Sequence, residues 1–182
     1  MFRFFKELFN TTTTKVEQEL TTAKATVANP DTVLANLVWA FNRKPYDSQT
    51  EFDEEISRYQ KDILRAQAYW KGEETVIHAP EVEVCYEAWI RSIDDLKSNE
   101  ELLDDQEEVF DEDNEEDGFF QVEISAKLQA ANGSSFSALD IMYQMEHQVS
   151  NKELGDHIFF EGFQRAQDYN GALPLYHMVC GS

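Results

Sequence analysis

The run Leu154-Gly155-Asp156-His157-Ile158-Phe159-Phe160-Glu161-Gly162-Phe163 constrains the fold of this chain more than any other stretch. It packs bulky apolar residues, three ionisable groups and two glycines into one short segment. Ile158, Phe159 and Phe160 are strong strand formers. Gly155 suits the position just past a helix, where positive φ is needed and a Cβ would clash. The stretch is therefore predicted to be the central strand of a sheet, entered from a helix.

A strand of this kind needs neighbours, and the flanking sequence supplies them. In Phe119 to Leu128 the residues Phe120, Val122, Ile124, Ala126 and Leu128 alternate with Gln121, Glu123, Ser125 and Lys127, the pattern of a half-exposed strand. Asn132-Gly133 signals a turn. Ser135 or Ser137 then caps a helix over about 137–150, with Asp140 three residues after Ser137 and an inner face of Leu139, Met142, Tyr143 and Val149. A last strand runs from Leu173 to Cys180 after a turn at Asn170-Gly171. The C-terminal part thus forms a β-α-β-β unit. Residues 80–93 fit either a helical stripe (Val82, Cys85, Tyr86, Trp89, Ile90, Ile93) or the alternation Val82, Val84, Tyr86, Ala88, Ile90; the β-branched and aromatic residues decide for a strand.

The first third is predicted to be helical. Val16, Leu20, Ala23 and Val27 form one stripe, ended by Pro30. Val33, Leu34, Leu37, Val38 and Phe41 form the face of a second helix, stopped by Pro45. Ser48 and Glu51 make a capping box for a third helix, with the stripe Phe52, Ile56, Tyr59, Ile63, Ala66, Trp70 and an end at Gly72. That stripe faces the core or, as the alternative, a second copy in a homodimer. The overall expectation is an α+β fold in one domain over 1–182: a helical part, 1–73, packed with a mostly antiparallel sheet, 74–182, interrupted by a mobile acidic loop over 94–117.

That loop dominates the charge. The 182 residues carry a formal charge of −21 from 36 acids against 15 Lys and Arg, and fourteen of the acids fall between 94 and 117 beside one lysine, Lys97. Nucleic-acid binding rests on cationic groups that release counterions from phosphates, so direct DNA or RNA binding is not expected, and an anionic membrane repels such a chain. No apolar run approaches the roughly 20 residues of a membrane helix. Two cysteines, Cys85 and Cys180, are too few for a disulfide scaffold, and a reducing cytoplasm is the expected setting.

The candidate functional residues are Asp156, His157, Glu161 and His177, which are metal-ligand and acid–base types. On an extended strand His157 and Glu161 share a face but lie about 13 Å apart, and Asp156 points the other way. Alternation on the last strand also sets His177 and Cys180 on opposite faces, which disfavours a Cys–His nucleophile. Asp113, Glu115, Asp117 and Gly118 imitate part of an EF-hand loop, yet its twelfth position is Ile124, which supplies no carboxylate. Glu146-His147 lacks the second histidine of a zinc-hydrolase helix, and no phosphate-binding glycine loop or nucleophile elbow is present. No cofactor and no metal is implied. The sequence leads to a non-enzymatic acidic interaction or regulatory protein with a basic protein partner. The alternatives are a small hydrolase or metal-assisted enzyme using Asp156, His157 and Glu161, a nucleic-acid mimic, and a subunit of a larger assembly.

Overall fold

The computed structural model describes residues 28–65 and 70–182. The stripe Val16–Val27 and Ala66 lie outside the described residues. Strands β1 (Thr32–Val33) and β2 (Trp39–Ala40) precede helix α1 (Gln49–Leu64); β3 (Thr75–Ile77), β4 (Glu81–Ile90) and β5 (Glu100–Leu102) follow. A short helix α2 (Gln106–Val109), β6 (Phe120–Gln129), β7 (Phe136–Ser137), α3 (Ala138–Val149), β8 (Phe159–Arg165) and β9 (Leu175–Gly181) complete the chain. Helices and a mostly antiparallel sheet make this an α+β protein.

The frame is the hairpin-like pair β4 and β6, antiparallel from Glu81↔Gln129 to Ile90↔Phe120. Its alternation is the one expected: Val82, Val84, Tyr86, Ala88 and Ile90 on β4, with Val122, Ile124, Ala126 and Leu128 on β6, are all buried. β9 joins β4 in parallel, β8 joins β9 antiparallel, and β1 and β2 both pair with the far side of β8. β5 closes the other edge against β6, giving the order β1-β8-β9-β4-β6-β5. β3 and β7 form a separate two-stranded sheet.

One apolar cluster unites the inner sheet face with Ile141, Met142, Met145 and Val149 of α3 and with Phe52 and Ile56 of α1. Each such side chain taken out of water contributes about 1.5–3 kcal/mol. Both helices start as their caps dictate. The Ser48 side chain accepts the Glu51 N–H and the Ser137 side chain accepts the Asp140 N–H, each at 3.1 Å. Glu51 reaches back to the Asp47 N–H at 3.0 Å rather than to Ser48 itself. Phe52 and Ile56 are fully buried within the chain and Tyr59 packs on the same core, while Ile63 is exposed, so the first half of the stripe faces the interior.

Several expectations are corrected. Residues 31–41 are not a helix. Leu34 takes φ 58°, and the flanking residues pair as Val33↔Phe163 and Trp39↔Phe160. The buried set Leu37, Trp39, Phe41 has period two, the strand signal that a helical template overlooks in the same window. The supposed helical part therefore contributes two strands to the sheet. Helix α1 stops at Leu64, not at Gly72, because Arg65 adopts φ 55°; Trp70 then lies beside α1, its indole N–H donating to Asp53 at 2.6 Å. Residues 94–117, expected as a mobile loop, carry short regular elements: β5, α2 and the 3-10 turn Glu112–Asn114, with another 3-10 turn, Ile93–Asp95, at their start.

The run 154–163 is also different in kind. Only its second half is strand, and β8 lies one place from the sheet edge while β4 is interior. Gly155, with φ 61°, serves a turn six residues beyond the end of α3 rather than its cap. The strand carries a bulge between Phe160 and Gly162, so Phe160 and Phe163 are both buried although three positions apart. Gly162 makes this possible. It sits at φ 127°, and a Cβ there would lie 3.0 Å from Ala35 Cα and 3.1 Å from the Val33 carbonyl oxygen.

Candidate functional site

The acidic segment is built onto the sheet edge by its own residues. Lys97 and Glu100 close a turn, the Glu100 N–H donating to the Lys97 carbonyl at 2.9 Å and the Lys97 N–H to the Glu100 carboxylate at 2.6 Å. The Glu100 side chain then points inward. It accepts from the Tyr86 hydroxyl at 2.6 Å and from Lys152 Nζ at 2.8 Å, and both members of the ion pair have side chains fully closed to solvent. Lys152 completes its donors on the Gln148 carbonyl and Asn151 Oδ1, each at 3.1 Å. Burial, followed by the Glu100 charge, pushes the Tyr86 phenol well above its usual value. Lys97 reaches the C-terminal end of α3, where its ammonium meets the His147 carbonyl and Ser150 Oγ; burial and then the Lys152 charge hold it below the usual lysine value.

Beyond this anchor the acids cap one another's backbone. Asp105 accepts the Glu107 N–H at 2.9 Å, Asp111 the Asp113 N–H at 3.0 Å, and Asp104 the Glu123 N–H of the neighbouring strand at 2.7 Å. Phe110 packs edge-on against Phe120 with centroids 5.1 Å apart. Residues 103–108 and 111–118 are all exposed. Among the described residues no Lys or Arg forms an ion pair with any acid from 101 to 117. The result is an uncompensated field of carboxylates along one sheet edge, its backbone tied by these local hydrogen bonds.

A second arrangement lies on the outer face of the central strands. Cys85 on β4 is the register partner of His177 on β9 and of Ser125 on β6. Glu123 stands diagonally across, two residues from Ser125, and directly opposite Glu87. A cavity of about 300 Å³ opens here, lined by Cys85, Glu87, Glu123, His157, His177 and Cys180 among others. Burial pushes both thiols up, Cys180 to about 12; for Cys85 a hydrogen bond with Ser125 opposes the rise.

The four residues singled out in the sequence divide between places. Asp156 and His157 sit in the turn before β8, not on a strand, and their side chains lie 3.3 Å apart instead of pointing to opposite faces. His157 and His177 line the 300 Å³ cavity. Glu161 lines a different cavity of about 1150 Å³, with Leu37, Trp39, Gln60 and Phe160 among its walls. The structure thus brings His157 and His177 together and leaves Glu161 apart. Glu146 is fully buried and structural: it accepts from the Trp39 indole at 2.9 Å and the Asn42 N–H at 3.2 Å, while burial raises its carboxyl above the usual range.

Sequence reasoning missed the Glu100–Lys152–Tyr86 cluster, since 52 residues separate the two charges and nothing local marks either one. Cys85 beside His177 is not readable from the sequence, because the contact exists only where β9 returns parallel to β4. Among the described residues no helix is long and apolar enough to cross a membrane. The chain matches no family model, no curated protein and no solved structure.

Proposed function

We propose that this protein is a non-enzymatic acidic interaction protein of the cytoplasm, which binds a basic protein partner through the carboxylates of residues 103–118 and regulates it by occupancy. The observation that carries the reading is the anchored, uncompensated acidic edge. Acids held close together by a sheet edge repel one another, and a cationic partner relieves that repulsion on binding. The buried Glu100–Lys152 pair keeps the array in place, so the ordering cost is met in folding and not in binding. The short, charged edge strand disfavours strand addition by another chain, which directs recognition to side-chain charge. Unpaired thiols at Cys85 and Cys180 are in keeping with a reducing compartment.

The test is capture from native lysate at low and at high salt. It compares the natural chain with a variant in which Glu107, Glu108, Glu112, Asp113, Glu115 and Glu116 become Gln or Asn. Glu100 is untouched, so the fold is preserved. Basic proteins retained at low salt, released at high salt and lost by the variant support the proposal. Identical capture by both chains, or none by either, contradicts it.

Mimicry of nucleic acid is the second reading, favoured by the same anchored edge, because imitation of phosphates requires charges with set spacing. Release of the captured protein by duplex DNA at constant ionic strength selects it; release by salt alone selects the general form. The enzymatic alternative has less support, because Glu161 and His157 line separate cavities.

A further inference from the structure

The outer face of the sheet carries a donor set that the acidic-edge reading does not use. The Cys85 sulfur, a Glu123 carboxylate oxygen and a His177 ring nitrogen all lie within 4.8 Å of one another. They come from three adjacent hydrogen-bonded strands, β4, β6 and β9, so their spacing is held by backbone pairing rather than by loops. A tetrahedral zinc ion with bonds of about 2.0–2.3 Å holds its donors about 3.5 Å apart. Small rotations of Glu123 and of the exposed His177 side chain close that difference.

An independent feature of the same face points to a cation. Glu87 and Glu123 are direct cross-strand partners, an arrangement that is destabilising for like charges. Among the described residues no Lys or Arg pairs with either. Asp104 adds a third carboxylate, held on the Glu123 N–H. Lys127, also on this face of β6, leans instead toward Glu83 at 4.0 Å. The negative potential thus concentrates where a soft thiol and an imidazole are already gathered.

We propose that Cys85, Glu123 and His177 bind a divalent transition-metal ion of the zinc class, with the fourth position open to the 300 Å³ cavity. One sulfur, one nitrogen and one oxygen donor suit a borderline ion, and magnesium or calcium would call for oxygen donors alone. Three protein ligands with a position left open is the arrangement of zinc sites that take an exogenous ligand. His157 lines the same cavity from the turn before β8.

Cobalt(II) titration of the full chain, followed by zinc competition, tests this. The probe discriminates against the many carboxylates, because only thiolate coordination gives the near-ultraviolet sulfur-to-cobalt charge-transfer band. The expected result is a band saturating at one equivalent and erased by zinc. It is absent in Cys85→Ser, unchanged in Cys180→Ser, and reached only at roughly tenfold or more higher cobalt in Glu123→Gln and His177→Gln. Those last two positions face outward and leave the core intact, as far-ultraviolet circular dichroism will verify. No band in the natural chain, a band surviving Cys85→Ser, a band lost in Cys180→Ser, or unchanged affinity in the Glu123 and His177 variants overturns the proposal.

Discussion

Replacing Lys152 by Met removes the positive half of an ion pair whose two side chains are both closed to water. What remains is a Glu100 carboxylate still facing the Tyr86 hydroxyl and the Lys97 N–H, without its directly bonded counter-charge and with the Lys97 ammonium as the nearby cation. Breaking a buried pair from one side costs about 3–5 kcal/mol. Total stabilities of about 5–15 kcal/mol make that a large fraction. The methionine replaces the lysine stem in volume, so little of the loss is a cavity effect. Adding Glu100→Gln to Lys152→Met removes the stranded charge and is expected to recover at least half of the loss. Urea unfolding followed by circular dichroism reads both variants, with the slope unchanged and the midpoint lowered. A single-variant cost below about 1 kcal/mol, the range of exposed pairs, would refute the claim that this pair anchors the edge. So would a double variant no more stable than the single one.

Other expectations follow from the same structure. Gly162→Ala places a Cβ against backbone atoms of residues 33–35 at positive φ, and a loss of about 2 kcal/mol or more is expected by chemical denaturation; a neutral result contradicts the bulge geometry. Ser137→Ala removes the cap of α3 and lowers stability by about 1 kcal/mol, read as a shift in the urea midpoint. The Cys180 thiol rises from 9.0 to about 12 in the folded chain, so the folded state keeps a proton that the unfolded state releases between those values. Its contribution is complete below pH 9 and is lost as pH climbs toward 12; equilibrium unfolding across that window will show a steeper alkaline decline in the natural chain than in Cys180→Ser.

Where one local pattern settles an element, the sequence is a sufficient guide. The alternation of β6 and the Ser48 and Ser137 caps are legible because each signal is complete within a few residues, whereas β4 fits two periods and is decided by its β-branched and aromatic residues. Residues 31–41 mislead because their apolar positions fit two periods at once, and the choice is made by β8, far along the chain. The Asp156-His157 pair is misplaced because a strand signal at 158–160 does not reveal that the chain is still turning two residues earlier. The acidic segment hides its regular elements on energetic grounds: repulsion among fourteen acids gives no sign that one of them, Glu100, pairs with Lys152 in the interior. The donor set of Cys85, Glu123 and His177 is invisible in sequence because it is a product of strand order.

Amide hydrogen exchange at the acidic edge tests the central claim most directly. The Leu103 N–H donates to the Glu123 carbonyl at 2.9 Å and the Lys127 N–H to the Asn99 carbonyl at 2.8 Å, so both bonds exist only if β5 is docked. Slow exchange at Leu103 and Lys127, lost together in Lys152→Met, is the predicted result. Exchange at both positions as fast as in a free peptide, with the rest of the sheet protected, would mean that the carboxylates are not held in place.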